Sequence, residues 1–176
     1  YTLSAAVNVS ASPGTPALPG VVVGYTSIPG DACNGANRPL IVCGSNAFAM
    51  SPETNCENLR FTTTSSGGIV IAANSKIKNC SAINSSSTAD RVAWSCAIAT
   101  NSTFIDCEGV SQNGRAWSGT TNAFRLIGCY AHDSDIGVLA TTATLILSNC
   151  KFEANRTCAV DSASTSSNQY LNCTFY

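Results

Sequence analysis

The sequence predicts an all-β fold: a parallel β-helix of about five coils, preceded by an extended N-terminal strand and an irregular cap. Three observations point there. A cysteine that follows Asn, Asp or Gly recurs six times, as Asn55-Cys56, Asn79-Cys80, Asp106-Cys107, Gly128-Cys129, Asn149-Cys150 and Asn172-Cys173. The steps between these cysteines are 24, 27, 22, 21 and 23 residues, and a period of about 20–50 residues marks a repeat architecture. The residues ahead of the cysteines are those that enter left-handed backbone conformations at least cost, so one sharp bend is expected once per coil. Finally, no segment carries a helical hydrophobic period, and short apolar runs alternate with Ser, Thr, Asn and Gly.

The elements follow in order. Residues 1–12 alternate: Tyr1, Leu3, Ala5, Val7, Val9 and Ala11 stand on one side, with mostly polar residues between them. Period two predicts a strand with one buried face. Residues 13–20 read Pro-Gly-Thr-Pro-Ala-Leu-Pro-Gly, a stiff linker that ends any regular element. Residues 1–20 are therefore assigned as a tethered strand. Residues 21–55 form the expected cap region, with Val21–Val23 and Leu40–Val42 as short buried strands. Residues 56–176 form the expected solenoid. Counting each cysteine as zero, position −3 holds Ile77, Phe104, Leu126, Leu147 and Tyr170, with Glu53 as the exception in the first coil. Position +2 holds Ala82, Gly109, Ala131, Phe152 and Phe175. A third short strand opens most coils, as at Ile69-Val70-Ile71 and Ile136-Gly137-Val138. Each coil thus carries three short strands, and strands of successive coils stack in parallel about 4.8 Å apart.

Ile77-Lys78-Asn79-Cys80-Ser81-Ala82, Leu147-Ser148-Asn149-Cys150-Lys151-Phe152 and Leu171-Asn172-Cys173-Thr174-Phe175 resemble coils of the right-handed parallel β-helix proteins, the pectin-lyase-like superfamily. The resemblance covers about residues 56–176. It implies a stacked ladder at the bend, matched by Asn55, Asn79, Asp106, Asn149 and Asn172 with Gly128 substituting. It also implies, for enzymes of the family, an acidic polysaccharide substrate, clustered Asp ligands for calcium and an Arg base. This chain shows no Arg–Asp constellation of that kind, and a fold alone does not fix a function.

Composition narrows the partners. Net charge is −1, and charged residues are 11% of the chain against about 25% in ordinary domains. No basic cluster suits a phosphate backbone, which argues against nucleic acid. No apolar run reaches the roughly 18–20 residues of a membrane span. Ten cysteines in a Ser/Thr/Asn-rich chain favour an oxidising, extracellular location. The chain opens at Tyr1 without Met, as a processed product does. Six Asn-x-Ser/Thr sequons occur, at Asn8, Asn79, Asn84, Asn101, Asn155 and Asn172. Composition alone would supply roughly four, so Asn8, Asn84, Asn101 and Asn155 stand as candidates for surface glycans.

Cys33 and Cys43 bracket a ten-residue turn, and a local bridge and two unbridged thiols are equally open. Cys56, Cys80, Cys107, Cys129, Cys150 and Cys173 form an inward column if all six face the core. Adjacent members then lie within disulfide reach, although nearly parallel Cβ vectors favour a stack of small buried thiols. Zinc is disfavoured, because there is no Cys-x-x-Cys pair and His132 is the sole histidine. Neither a metal nor another cofactor is expected. Asp106, Glu108, Glu57 and Glu153 are the acids available for a paired-carboxylate mechanism, and a solvated face is the stronger expectation. His132-Asp133-Ser134-Asp135 is the densest polar cluster and reads mainly as a turn. Trp94 and Trp117 are either sugar platforms or core. The expected function is therefore structural and non-enzymatic: an extracellular subunit that self-associates into a filament or appendage. Strand 1–12 would be donated to a neighbour, the last coil would stack end to end, and disulfides would harden the product. A carbohydrate-binding or carbohydrate-cleaving β-helix is the alternative, favoured if three or more acids stack on one face. A non-polymerising adhesin fragment is the third.

Overall fold

The computed structural model describes residues 7–9, 20–25, 37–46, 48–96, 100–120, 123–142, 144–162 and 168–176. Their regular elements are twenty-one short strands, numbered in chain order. Every third strand joins the same parallel sheet. The first sheet holds β1 (Val7–Val9), β4 (Phe48–Met50), β7 (Ile69–Val70), β10 (Arg91–Ser95), β13 (Gly114–Gly119), β16 (Ile136–Ala140) and β19 (Cys158–Ser162). The second holds β2 (Gly20–Val23), β5 (Thr54–Glu57), β8 (Lys76–Lys78), β11 (Ser102–Ile105), β14 (Phe124–Ile127), β17 (Leu145–Ser148) and β20 (Gln169–Leu171). The third holds β3 (Leu40–Gly44), β6 (Arg60–Thr63), β9 (Ser81–Asn84), β12 (Glu108–Ser111), β15 (Tyr130–His132), β18 (Lys151–Glu153) and β21 (Thr174–Phe175).

The protein is thus an all-β parallel solenoid with three strands per rung. Six full turns separate β1 from β19, where about five coils were expected. The surplus comes from the stretch read as a cap: β2 to β5 already lie in register with the rungs that follow. Their strands are short and the chain between them carries no cysteine repeat, so the period is invisible there. Val7–Val9 of the N-terminal strand pair with Phe48–Met50 of the same chain. Tyr1, Leu3, Ala5 and Ala11 lie outside the described residues.

The bend ladder is real, with one member displaced. Asn79, Asp106, Gly128, Asn149 and Asn172 all have positive φ, between 48° and 63°. Asn55 does not: it sits inside β5, and Cys56 pairs with Ile77 rather than with Cys80. The bend of that rung is at Asn58, with φ 60°. The amides of Asn58, Asn79, Asp106, Gly128 and Asn149 each donate to a carbonyl of the next rung, at Lys78, Ile105, Ile127, Ser148 and Leu171. Asn79 Nδ2 also donates to Asn58 Oδ1 at 2.8 Å, so the side chains form a ladder of their own. Glu53 at position −3 was the warning sign. Counting from Leu59 instead of Cys56 places Cys56 at −3 and Phe61 at +2, both buried. Glycine at 128 has a local cause: a Cβ there would lie 2.4 Å from Asp106 Oδ1.

The core is a set of columns running up the solenoid. Val22, Cys56, Ile77, Phe104, Leu126, Leu147 and Tyr170 form one. Rings cross between columns, Phe61 to Trp94 to Phe104 to Trp117, with centroids 5.5–6.1 Å apart and edge-on geometry. Both tryptophans are fully buried, so they are core and not sugar platforms. Buried serines complete the ladder where strands stop short: Thr54 N donates to Ser75 Oγ and Ser75 N to Ser102 Oγ. This pairs amides that burial would otherwise strand.

Candidate functional site

The outer surface of the third sheet carries the densest charge. In β12, β15 and β18 the residues Gly109, Ala131 and Phe152 face the core, while Glu108, Tyr130, His132, Lys151 and Glu153 lie on the outer side. Rung stacking therefore places Glu108, Tyr130 and Lys151 in one outward row, and His132 beside Glu153 in the next. His132 Nε2 meets Glu108 Oε1 at 2.8 Å, and Nδ1 meets Asp133 Oδ2 at 2.7 Å. Burial disfavours the charged ring, but hydrogen bonds to Glu108 and Asp133 outweigh it and raise the His132 pKa above its usual value. Arg38, nearly buried, approaches the far oxygen of Glu108 at 3.9 Å and donates to the Asn79 carbonyl. Tyr130 stacks on His132 with centroids 4.2 Å apart and donates its hydroxyl to Glu153 at 2.6 Å. Lys151 meets the same carboxylate at 2.5 Å and lies over the Tyr130 ring. Lys151 first, then Tyr130, hold the Glu153 carboxyl below its ordinary range.

Three acids thus share one face: Glu108, Asp133 and Glu153. Glu57 is on the second sheet beside Lys78, and Asp106 is a bend residue, so neither joins them. The turn His132–Asp135 splits in role. Asp133 has φ 48°, Ser134 is buried and accepts the Ser111 amide, and Asp135 reaches instead to Thr157. Among the described residues no group of three or more His, Cys, Asp or Glu side chains is placed to hold a metal ion. Chemically the face is a fixed mosaic of paired charges around an aromatic pair. Each of its three carboxylates lies within hydrogen-bond distance of a neighbouring side chain: Glu153 accepts from the Tyr130 hydroxyl, and Glu108 and Asp133 flank the two His132 ring nitrogens.

The cysteines form a second feature. The nine described, all except Cys33, are free thiols. Cys43 is buried and its thiol is pushed up to about 11 by that burial. Cys80, Cys107, Cys129, Cys150 and Cys173 follow one another rung by rung at the same corner. Each donates its S–H to the carbonyl two residues back, across the bend, at 3.2–3.5 Å. Cys56 lies in the neighbouring column, with its Sγ 3.9 Å from that of Cys80. This is the stack of compact buried thiols that parallel Cβ vectors favour.

The third feature is the last rung. Tyr170 and Phe175 occupy core columns yet are 48% and 46% exposed, beside exposed Leu171 and Tyr176. Phe175 stacks on Phe152 at 5.2 Å. At the opposite end Val21, Val23 and Tyr25 are exposed, next to a cavity of about 390 Å³ lined by Val22, Ile41 and Leu59 among others.

The glycan candidates separate by burial. Asn84 is fully buried and donates to the Ser65 and Val92 carbonyls, so the folded chain has no room for a sugar there. Asn155 is half-buried and donates to the Ala131 carbonyl. Asn8 lies in β1. Asn101 is exposed at a left-handed corner.

Comparison with protein-family models, with curated proteins and with solved structures found no match to this chain. No helix among the described residues is long and apolar enough to cross a membrane.

Proposed function

We propose that this protein is an extracellular structural element, a rigid β-solenoid of the right-handed, pectin-lyase-like type that associates end to end into a fibre or appendage. The first rung carries the reading: among the described residues β2 and β3 pair on one side only, beside exposed Val21, Val23 and Tyr25. Tyr170 and Phe175 continue columns that are buried one rung below, and a rung set on them in register, from this chain or a neighbour, would bury them. The exposed apolar residues and cavity at the other end make a head-to-tail contact the natural one, and such contacts propagate. A donated strand is not needed for this, and Val7–Val9 are occupied by β4. Disulfides would stiffen the shaft further.

The test is light scattering and negative-stain electron microscopy of the native protein over a range of concentrations. Rods that lengthen with concentration, and that are lost in Phe175→Asp, support the reading. A monomer at every concentration refutes it.

A second reading has its own observation. Glu108, Asp133 and Glu153 share a face with Tyr130, His132 and Lys151, and such a surface suits hydroxyl-rich chains. In this reading the protein binds a surface carbohydrate through the third sheet, as an adhesin or tailspike module does. Glycan-array binding that is lost in Tyr130→Ala would establish it. Depolymerisation of a polyuronate would promote the lyase alternative.

A further inference from the structure

The six Asn-x-Ser/Thr sequons differ in what the fold does with the amide that would carry a sugar. Attachment replaces one of the two hydrogens on Nδ2 and adds a bulky polar chain. Asn84 uses both hydrogens: its Nδ2 donates to Ser65 O at 2.9 Å and to Val92 O at 2.8 Å, and the residue is fully buried. Asn155 donates to Ala131 O at 3.3 Å, and its Oδ1 is buried. A Cβ at Gly137 would stand 3.2 Å from the Asn155 Nδ2, so that amide is hemmed in on two sides. Asn79 is half-buried and donates to Asn58 at 2.8 Å. Asn101 is exposed, and its side chain has no hydrogen-bond partner among the described residues. Asn8 and Asn172 lie on the first and last rungs, where access depends on what adjoins the solenoid.

The Asn101 corner holds its backbone and leaves its side chain out. It lies between β10 and β11, in the middle of the shaft, with φ 56°. Asn74 N donates to Thr100 O at 2.7 Å and Asn101 N to Ala123 O at 2.8 Å, so the rungs on both sides anchor it. Thr103, the hydroxyl residue of this sequon, alternates with buried Ser102 and Phe104 and stands on the outer side of β11.

We propose that Asn101 is a site of N-linked glycosylation, and that Asn79, Asn84 and Asn155 stay bare in the folded protein. The donor is an oligosaccharide carried on a lipid pyrophosphate. The Asn101 Nδ2 attacks the anomeric carbon of the first sugar. The bond from that carbon to the pyrophosphate oxygen breaks, the lipid pyrophosphate leaves with the electron pair, and the amide gives up one proton. Transfer precedes folding, so folding does the sorting. A sugar on Asn84 removes a core hydrogen bond, strands a carbonyl and needs space that the packed interior lacks. Chains so modified do not reach the folded state. A sugar on Asn101 breaks no bond of the fold. It projects sideways from the corner between the first and second sheets, so it leaves both ends of the solenoid free and keeps neighbouring rods apart along that edge.

This rests on the extracellular placement proposed above and not on end-to-end association, which particle size reads separately. The full chain is secreted from a eukaryotic cell line, which supplies the transferase whatever the native host. A bare Asn101 there counts against the site and leaves the placement untouched. The secreted protein is treated with peptide N-glycanase, which converts a glycosylated Asn to Asp, and its peptides are weighed. Conversion at Asn101 is expected, with Asn79, Asn84 and Asn155 unconverted. Thr103→Ala, which removes the sequon without touching the corner or the core, should lose the mass of one glycan and still be secreted. If the wild-type chain is retained in the cell, Ser86→Ala, which removes the Asn84 sequon, should release it with Asn101 occupied. An unconverted Asn101 in the secreted protein, or in that variant, would overturn the proposal. So would a glycan on Asn79, Asn84 or Asn155 of the secreted protein.

Discussion

Replacing Phe104 by alanine should destabilise the protein far more than the same replacement at Tyr170, although both stand in one column of the second sheet. Phe104 is fully buried, with its ring edge-on to Trp94 at 5.5 Å and to Trp117 at 6.1 Å. Truncating a buried phenylalanine costs about 3–5 kcal/mol, the lost transfer energy plus a cavity that rigid neighbours cannot fill. The two lost edge contacts put Phe104→Ala at the upper end, since each such pair adds about 0.5–1.5 kcal/mol. Tyr170 is 48% exposed and meets one ring, Phe175, at 6.4 Å. Half of an aromatic burial of about 2–3 kcal/mol leaves roughly 1–1.5 kcal/mol at stake there. Urea unfolding followed by circular dichroism separates them. With a slope of about 2 kcal/mol per molar, Phe104→Ala should lower the midpoint by about 2 M and Tyr170→Ala by less than about 0.8 M. Equal shifts would refute the claim that one sequence column divides into a buried and an open part. A loss larger at Tyr170 than at Phe104 would place the stable centre of the solenoid elsewhere.

The displaced bend gives a paired test: Asn79→Ala puts alanine at φ 48° and removes the bond to Asn58, and should cost about 1–3 kcal/mol. Asn55→Ala lies in strand β5 and should cost under about 0.5 kcal/mol, so comparable losses by urea titration would contradict the register. Ser102→Ala strands the Ser75 amide in the core, and a loss of about 1–3 kcal/mol is expected; an unchanged midpoint would show that the serine ladder is dispensable. His132 is the sole histidine, so its ring protons report its titration by NMR without ambiguity. Its folded pKa is raised, so its stabilising effect is complete below the unfolded value of about 6.5 and is lost as pH rises through the folded pKa. Stability should therefore fall across that interval, and Glu108→Gln should move the NMR midpoint down; a midpoint indifferent to Glu108 would dissolve the proposed charge mosaic.

The repeat was legible because bends need particular residues. Asn79, Asp106, Gly128, Asn149 and Asn172 disclose themselves by a backbone requirement that acts within a single residue. Their period and the apolar positions around them imply three strands per coil. The same logic failed at Asn55-Cys56, where chance produced the dipeptide three residues early and only Glu53 at an apolar position betrayed it. Other left-handed corners, at Glu53, Asn74 and Asn101, stayed hidden because nothing follows them as regularly as the cysteine follows the first. A count of left-handed-tolerant residues before each −3 strand would have found Asn74 and Asn101.

The sequence by itself determined the solenoid, its three-strand rung and most of its bend ladder, because these arise from local backbone preference and from apolar spacing within one coil. Only the tertiary structure decided what lies beside what. Glu108, Tyr130, His132, Lys151 and Glu153 are scattered over 46 positions of the chain. They meet because each turn returns the chain to the same height plus one strand spacing, and that distance depends on loop lengths that vary from coil to coil. The same stacking buried Trp94 and Trp117, closed Asn84 to sugars, and left Tyr170 and Phe175 exposed on columns that are dry one rung below. Burial belongs to the neighbours a residue acquires, and in a solenoid those neighbours are one full turn away.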